Sequence, residues 1–269
     1  MSEDDEDKDR QQIDDNVGLR SPIVYAIVRA EGEEELARPW PSLWWSGVAA
    51  GLVMGTSVMG RAALRHHLPD APWSMIIESF GYTLGFVIVI IARLQLFTEN
   101  TITPVLPLLA RPSLATLRSV ARLWGIVLFA NIVGTFVSAL LLVKVGSMPS
   151  EFLPALLSIS HQFADKTPVE ALGQGIPAGF LIASLVWMGP TLQGTKVLAI
   201  VLVTHLIALA ELSHVIVGSV ELFILLLHGE LSVAHAFLGL FLPTFFGNVL
   251  GGTGLFAMLA YAQVRQEIE

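Results

Sequence analysis

The stretch LFTENTITP, residues 96–104, places polar side chains and Pro104 inside a long apolar segment. A second stretch, AELSHVIVGS at 210–219, interrupts another apolar segment in the same way. Backbone that leaves the helical conformation at membrane depth is tolerated only where protein buries it or where it lines a cavity. The two stretches therefore predict two broken helices in an integral membrane protein.

The composition of the chain supports this class. Of 269 residues, 54% are hydrophobic and 14% are charged, against about 25% charged residues in typical soluble domains. The formal net charge of −8 argues against a general nucleic-acid binder. The absence of cysteine from the sequence excludes disulfides, cysteine-based zinc sites, iron–sulfur clusters and thiol catalysis.

The chain divides into three regions by charge and hydropathy. Residues 1–39 are predicted to form an acidic cytoplasmic tail with a short interfacial helix over 21–38. Residues 40–263 are predicted to form a six-span transmembrane domain, and 264–269 a short cytoplasmic C-terminus. Apolar stretches of about 20 residues, the length that crosses a bilayer, define the spans. They lie at 42–64, 76–110, 118–143, 170–189, 196–228 and 233–262, with a polar connection at 144–169.

The distribution of basic residues predicts the orientation. An even number of spans puts both termini on one side of the membrane. The basic residues near the membrane on that side are Arg29, Arg38, Arg111, Arg118, Arg122, Lys196 and Arg265. Those on the other side are Arg61, Arg65, Lys144 and Lys166. Because positive residues are enriched in cytoplasmic loops, this excess predicts that both termini are cytoplasmic.

The two halves of the chain share a weak repeat. FANIVG (129–134) and FGNVLG (246–251) have the common frame Phe-x-Asn-x-x-Gly at an offset of 117 positions. The same offset carries Thr98 to position 215, next to His214. With three spans in each half, the second half must insert upside down relative to the first. Paired broken helices in inverted repeats predict a substrate site near the bilayer midplane.

His214 and Thr98 are the candidate pore residues. An ionisable side chain in a spanning segment is costly and usually faces a cavity, and imidazole can change charge near neutral pH. The alternative for His214 is a neutral ring bonded to a neighbouring carbonyl. The Thr98 hydroxyl can donate to an anion or bond to its own helix. The helices that resume near Thr101 and Val215 are expected to direct unsatisfied N–H groups inward, where they favour anions.

Other polar residues of the spans are interpreted as structural. The Asn-x-x-Gly frames of Asn131 and Asn248 let helices approach closely and let the amides bond across an interface. Glu78 and Glu221, near the ends of spans, are expected to reach the membrane surface. The chain contains no G-x-S-x-G, H-E-x-x-H or Walker A motif, so no enzyme, cofactor or metal site is predicted and an ATP-driven pump is excluded on this chain alone.

Several stretches together resemble the formate/nitrite transporter family over residues 40–262. They are QLFTENTITPVL (95–106), FANIVG (129–134), EALGQGIPAGFLIASLVWM (170–188), the region around His214, and GNVLGGTGLFAMLAYAQ (247–263). Within the family, ARLQLFTENT, HVIVGSVE and the acidic head are most similar to the YfdC-type branch.

The resemblance implies an aquaporin-like protomer of six helices, assembled as a homopentamer with one pore in each protomer. Family members pass small monovalent anions such as formate, nitrite, lactate or hydrosulfide, often together with a proton. The family's pore histidine matches His214 and its loop threonine matches Thr98. Its apolar constrictions match Tyr82, Phe86, Leu96, Phe97 and Ile207.

The chain departs from the family pattern at several positions. The family often has Asn four residues after the histidine, where this chain has Gly218. Where the family has a lysine before the fourth span, ungapped alignment places Phe163, with Lys166 three residues further on. Tyr82 and Ile207 stand at positions where the family has phenylalanine. These changes leave the identity of the substrate open.

The sequence therefore predicts a channel or proton-coupled transporter for small monovalent anions or their weak acids in a bacterial inner membrane. A different class of function remains as an alternative: a non-transporting membrane scaffold or sensor that binds a partner through its acidic tail. A water or glycerol channel is a third candidate, but the paired Asn-Pro-Ala motif is missing.

Overall fold

A computed structural model describes residues 18–268. The acidic stretch 1–17, on which the predicted solvated tail and the sensor hypothesis depend, lies outside the described residues, as does position 269. Over 18–268 the helices are α1 (Ser21–Ala37), α2 (Trp40–His67), α3 (Ser74–Ile91), α4 (Val105–Ala110), α5 (Leu114–Val145), α6 (Leu153–Ala164), α7 (Pro168–Thr191), α8 (Lys196–Leu209), α9 (Val215–His228) and α10 (His235–Ile268).

The described residues contain five helices that are long and apolar enough to cross a membrane: α2, α3, α5, α7 and α10. The fifth predicted span, 196–228, consists of two shorter apolar helices, α8 and α9, in agreement with the break predicted there. Gln263 near the end of α10 donates a hydrogen bond to Ser21 at the start of α1. The beginning and the end of the described chain therefore lie at the same end of the helix bundle.

The two helices that the sequence predicts as broken end with the same backbone geometry. Arg93, after α3, and Glu211, after α8, both adopt the left-handed conformation, with φ of 55° and 51°. In each case the next residue donates its N–H to the carbonyl five positions back, which closes the helix end. These bonds are Leu94 N–H to Val89 O, 3.0 Å, and Leu212 N–H to Ile207 O, 2.9 Å. The two breaks thus correspond at an offset of 118 positions.

The chain resumes differently after each break. After the second break α9 begins at Val215, as predicted, and Gly218 and Ser219 lie inside it rather than in the interruption. After the first break the chain forms a single 3₁₀ turn, Glu99–Thr101, and then the six-residue α4. The second half-helix therefore begins at Val105 and not near Thr101 as expected. Pro104 is its N-cap, and a proline disfavours the helical conformation at the residue before it, here Thr103.

Asn131 of α5 holds the first break in place. Its Oδ1 accepts a 2.9 Å hydrogen bond from the N–H of Phe97. Its Nδ2 donates to the carbonyls of Gln95 and Gly47, both at 2.8 Å. One amide therefore satisfies two backbone groups of the break and binds the break to α2.

Asn248 of α10 makes the same three bonds at the second break. Its Oδ1 accepts from the N–H of Val215 at 2.9 Å. Its Nδ2 donates to the carbonyl of Ser213 at 2.8 Å and to that of Gly175 in α7 at 2.9 Å. We call the two sets of bonds the Asn131 clamp and the Asn248 clamp.

Small residues bring each clamp close to its neighbouring helix. A Cβ added at Gly51 would lie 2.1 Å from the Asn131 carbonyl oxygen, and one added at Gly179 would lie 2.2 Å from the Asn248 carbonyl oxygen. Only glycine permits these approaches, in the manner of small-xxx-small packing in membranes. The shared motif therefore marks two equivalent helix crossings.

The predicted polar connection 144–169 contains a helix, α6, that the sequence reading did not assign. Pro154 stands in its first turn, where a missing N–H costs little. The following α7 begins with a capping box in which Thr167 and Glu170 bond each other's backbone N–H groups. The connection is therefore ordered, and it positions the residues around Lys166 above α9.

Candidate transport pathway

Thr98 and His214 are brought together at the two breaks. Thr98 Oγ1 and His214 Nε2 are 2.8 Å apart. Both side chains are buried, with 0% and 2% of their surface exposed. The two candidate pore residues thus form one polar contact in the interior, next to the aromatic ring of Phe86.

The second nitrogen of His214 defines which atom carries the proton. His214 is the N-cap of α9, and its Nδ1 accepts a 3.3 Å hydrogen bond from the N–H of Val217. A neutral imidazole has one donor and one acceptor nitrogen. Because Nδ1 accepts, Nε2 carries the hydrogen and donates it to Thr98 Oγ1. The Thr98 hydroxyl hydrogen is then free to point at a third group.

Two of the first N–H groups of α9 are bonded, contrary to the prediction that they point unsatisfied into the pore. The Asn248 clamp binds the N–H of Val215, and the His214 ring binds that of Val217. Those donors are used to hold the break, because unpaired backbone groups at this depth would cost several kcal/mol each. A polar group available to a permeating molecule is therefore the Thr98 hydroxyl rather than these amides.

The predicted constriction residues surround this contact with apolar surface. The Tyr82 and Phe86 rings lie 5.2 Å apart, and the Phe86 ring meets the His214 ring edge to face at 5.0 Å. The Phe97 ring stacks at 5.3 Å on Phe245. Each predicted constriction residue is buried in one apolar core: Tyr82, Phe86, Leu96, Phe97 and Ile207.

A small cavity reaches His214 from one side. Its volume is about 30 Å³, room for one or two water molecules. We call it the His214 cavity. Its lining includes Arg61, Tyr82, Gln162, Phe163, Lys166, His214, Gly218 and Glu221. A site of this size admits only a molecule of a few heavy atoms.

Lys166 carries a positive charge into the His214 cavity. Its Nζ donates to the Glu211 carbonyl at 2.6 Å and to Ser213 Oγ at 3.1 Å, directly before His214. Burial lowers the pKa of this ammonium. Lys166 therefore lies beside the break although the ungapped comparison assigned Phe163 to the family's lysine position.

Two departures from the family pattern, Phe163 and Gly218, are one structural feature. A Cβ added at Gly218 would lie 2.7 Å from the Phe163 ring. The ring occupies the space that a side chain at position 218 would need. Both residues line the His214 cavity, so together they set its shape.

A second and larger cavity lies at the other end of the bundle. It has a volume of about 780 Å³ and is lined by residues that include Glu31, Glu34, Glu35, Arg38, Arg93, Glu99 and Lys196. We call it the Glu99 cavity. α3 runs between the two cavities, with Tyr82 in the first and Ile90 in the second. Thr98 is bonded to His214 and adjacent in sequence to Glu99, so the Thr98–His214 pair lies between the cavities.

The sequence reading missed a buried charge cluster. Glu78 and Glu221, expected at the membrane surface, are each 5% exposed and contact Arg61, which is 7% exposed. Charged residues inside three separate spans were a signal of buried charge, but they did not indicate which residues pair.

Comparison with known proteins assigns the family. The family model "Formate/nitrite transporter" matches residues 22–262. The chain is 39% identical to "Inner membrane protein YfdC" of Escherichia coli (strain K12) over 268 residues, which are 99% of this chain and 86% of that protein. Among solved structures, an "FNT family ion channel" matches with a TM-score of 0.79 at 17% identity, over 90% of this chain and 99% of that one. A "Pentameric formate channel with formate bound" matches with a TM-score of 0.72 at 17% identity, over 84% and 98%. The chain is a membrane protein of this channel fold, and it belongs to the formate/nitrite transporter family.

Proposed function

We propose that the protein is a channel or proton-coupled transporter for a small monovalent anion, such as formate or nitrite, or for its weak acid. The Thr98–His214 contact carries this proposal, because it places one polar pair between two cavities at the meeting point of two broken helices. A similar solved structure is a pentameric formate channel with formate bound. That likeness supports a carboxylate of a few atoms as substrate.

Charge in the His214 cavity would draw the anion in. Lys166, Arg61, Glu211 and Glu221 all line this cavity, and Arg61 is paired with Glu78. The attraction for an anion is therefore assigned to Lys166, whose positive charge raises the local concentration of anions. The anion would then meet the apolar side chains of Tyr82 and Phe86. An ion that loses its water there costs far more free energy than a neutral acid does. The constriction therefore favours passage of the protonated form.

At the midpoint the Thr98 hydroxyl would donate to the permeating molecule. The neutral His214 ring orients that hydroxyl by donating Nε2–H to Thr98 Oγ1. A second proton on His214 would replace the Nδ1 lone pair that accepts from Val217 N–H. His214 thus stays neutral as long as the cap of α9 is intact, and it acts by hydrogen bonding.

The finer architecture is part of the proposal. α8 and α9 together would make the sixth crossing, and the two halves would insert in opposite directions around the two clamps. The pentameric neighbour supports a homopentamer with one pore in each subunit. The excess of basic residues supports cytoplasmic termini, and the likeness to YfdC supports a bacterial inner membrane.

A flux assay tests the proposal. Purified protein in proteoliposomes would receive inward gradients of formate, nitrite, acetate, lactate and hydrosulfide in turn, with protein-free liposomes as control. We expect protein-dependent flux of at least one of them. Correctly assembled protein with no flux for any of the five would contradict the proposed function.

A further inference from the structure

Three buried charged side chains from three helices form a cluster beside His214: Arg61 and Glu221 line the His214 cavity, and Glu78 contacts Arg61. Arg61 comes from α2, Glu78 from α3 and Glu221 from α9. Charges inside spanning helices are expensive and usually mark a pathway for ions or protons. The proposed transport steps assign no role to Glu221.

The two carboxylates of this cluster are bound very differently. Glu78 Oε1 accepts from Arg61 at 2.7 and 3.2 Å, and its Oε2 accepts from Arg65 at 3.3 Å. Glu221 meets Arg61 at 3.7 Å, which is longer than a hydrogen bond. Glu78 is therefore committed to two arginines as their counter-ion, whereas Glu221 can exchange a proton without breaking a short ionic hydrogen bond.

The helical period directs Glu221 into the same cavity as His214. Four residues of α9 and its cap line the cavity: His214, Val217, Gly218 and Glu221. These are positions i, i+3, i+4 and i+7, which share one face of a helix. Seven residues span about 10 Å along the axis. Glu221 therefore lies farther out along the stripe that leads to His214.

Resting on the proposed function, we propose that Glu221 is the proton donor that neutralises the anion before it enters the constriction. The Glu221 carboxyl O–H bond breaks and its proton forms an O–H bond on the anion held near Lys166. The products are a neutral weak acid and the Glu221 carboxylate, which Arg61 stabilises. A proton from the aqueous phase beyond the cavity then restores the Glu221 carboxyl.

The charges around Glu221 fit this cycle. Arg61 comes from α2, Glu78 and Tyr82 from α3, Lys166 from the segment after α6, and Glu211 and His214 from the second break. α6 adds the uncharged Gln162, whose Oε1 accepts from Arg61 at 3.1 Å. The cations hold the anion and stabilise the Glu221 carboxylate after transfer, while Tyr82 begins the apolar passage.

The test compares Glu221→Gln with Glu221→Asp and Glu151→Gln in full-length protein in proteoliposomes. Glu151 is an exposed carboxylate in the ordered connection before α6, so its loss controls for a change in surface charge. Formate flux is measured while the pH is varied on the side of the membrane that is nearer to Glu221. We expect Glu221→Gln to lower flux about 100-fold and to remove its rise with acidity. Glu221→Asp and Glu151→Gln should keep the pH profile.

A purely structural Glu221 would give a different pattern. Flux of Glu221→Gln would then fall by the same factor at every pH, and that result would overturn the proposal. If Glu221→Gln does not assemble, infrared spectra of wild-type protein and Glu221→Asp decide instead. A protonated carboxyl band that titrates and shifts in the aspartate variant supports the donor, and an unshifted band overturns it. Absence of flux in wild-type protein would contradict the proposed function itself, so the two failures are distinguishable.

Discussion

Thr98 and His214 are 116 positions apart in the sequence, yet their Oγ1 and Nε2 atoms are joined at 2.8 Å. The contact bridges the two interrupted helices at a point where both side chains are buried. It makes the orientation of the Thr98 hydroxyl depend on the tautomer of His214.

Removing the Thr98 hydroxyl should slow transport without unfolding the protein. Thr98→Val keeps the shape of the side chain but leaves the buried Nε2–H of His214 without its acceptor. We expect formate flux to fall about 10- to 100-fold, which corresponds to the loss of one or two good hydrogen bonds. Proteoliposome flux measures this, with Thr98→Ser as the control that keeps the hydroxyl. Equal flux in the valine and wild-type proteins would contradict the assigned role.

Two substitutions of His214 should separate its capping role from its pore role. Asparagine is a good N-cap, but its shorter side chain does not extend to Thr98. His214→Asn should therefore keep the thermal stability of wild-type protein and lose flux. His214→Phe should lose both, with a destabilisation of about 1 kcal/mol from the missing cap. Thermal unfolding in detergent, together with flux, checks the pair; wild-type flux in His214→Asn would count against a pore role.

The two asparagine clamps should be energetically equivalent. Asn131→Ala and Asn248→Ala each remove three buried hydrogen bonds and leave backbone groups unpaired. We expect each to cost about 3 kcal/mol or more in unfolding free energy. Reversible unfolding in mixed micelles measures both, with the exposed Asp70→Asn as control. A loss confined to one variant would argue against two equivalent clamps.

Phe163 and Gly218 should be coupled. Gly218→Asn alone puts a side chain into the Phe163 ring and should destabilise by about 1–3 kcal/mol through overpacking. Phe163→Ala alone leaves a void. The double variant should be more stable than the sum of the single effects, because the amide fills the space that the ring vacates. A double-mutant cycle measured by thermal unfolding quantifies this, and additive effects would refute the coupling.

Acid should weaken one contact outside the spans. Glu230, after α9, accepts hydrogen bonds from His161 of α6 and from His228. These bonds lower the pKa of the Glu230 carboxyl below its ordinary 4.5. A lowered folded-state pKa contributes stability that is complete above the unfolded value and is lost as pH falls through the folded value. The difference in melting temperature between wild type and Glu230→Gln should therefore be constant above about pH 5 and shrink below about pH 4. A difference that grows with acidity would be inconsistent with this contact.

Local signals in the sequence were sufficient to locate the two breaks. Polar residues in an apolar run predicted the interruptions at 96–104 and 210–219, and the repeated Asn-x-x-Gly frame indicated the two helix crossings. The family resemblance, with the repeat, singled out Thr98 and His214, which the structure brings into contact. These features are detectable because each is written within a few consecutive residues.

Features that depend on packing between distant segments could not be predicted. Arg61 pairs with Glu78 and Glu221, which lie 17 and 160 positions away, and nothing in any one helix shows that all three face inward. α6 is short and bounded by prolines, so its apolar period was too brief to recognise. Lys166 reaches the break because α6 and the capped start of α7 fold it back, which an ungapped alignment cannot represent.

The paired clamps have a mechanical consequence. At each break, one asparagine side chain bonds two backbone groups of the interruption and one backbone carbonyl of a neighbouring helix. The centre of the passage is therefore rigid. We expect permeation to proceed over a fixed barrier rather than by a rocking cycle. Any regulation of opening would then act at the His214 cavity or at the Glu99 cavity.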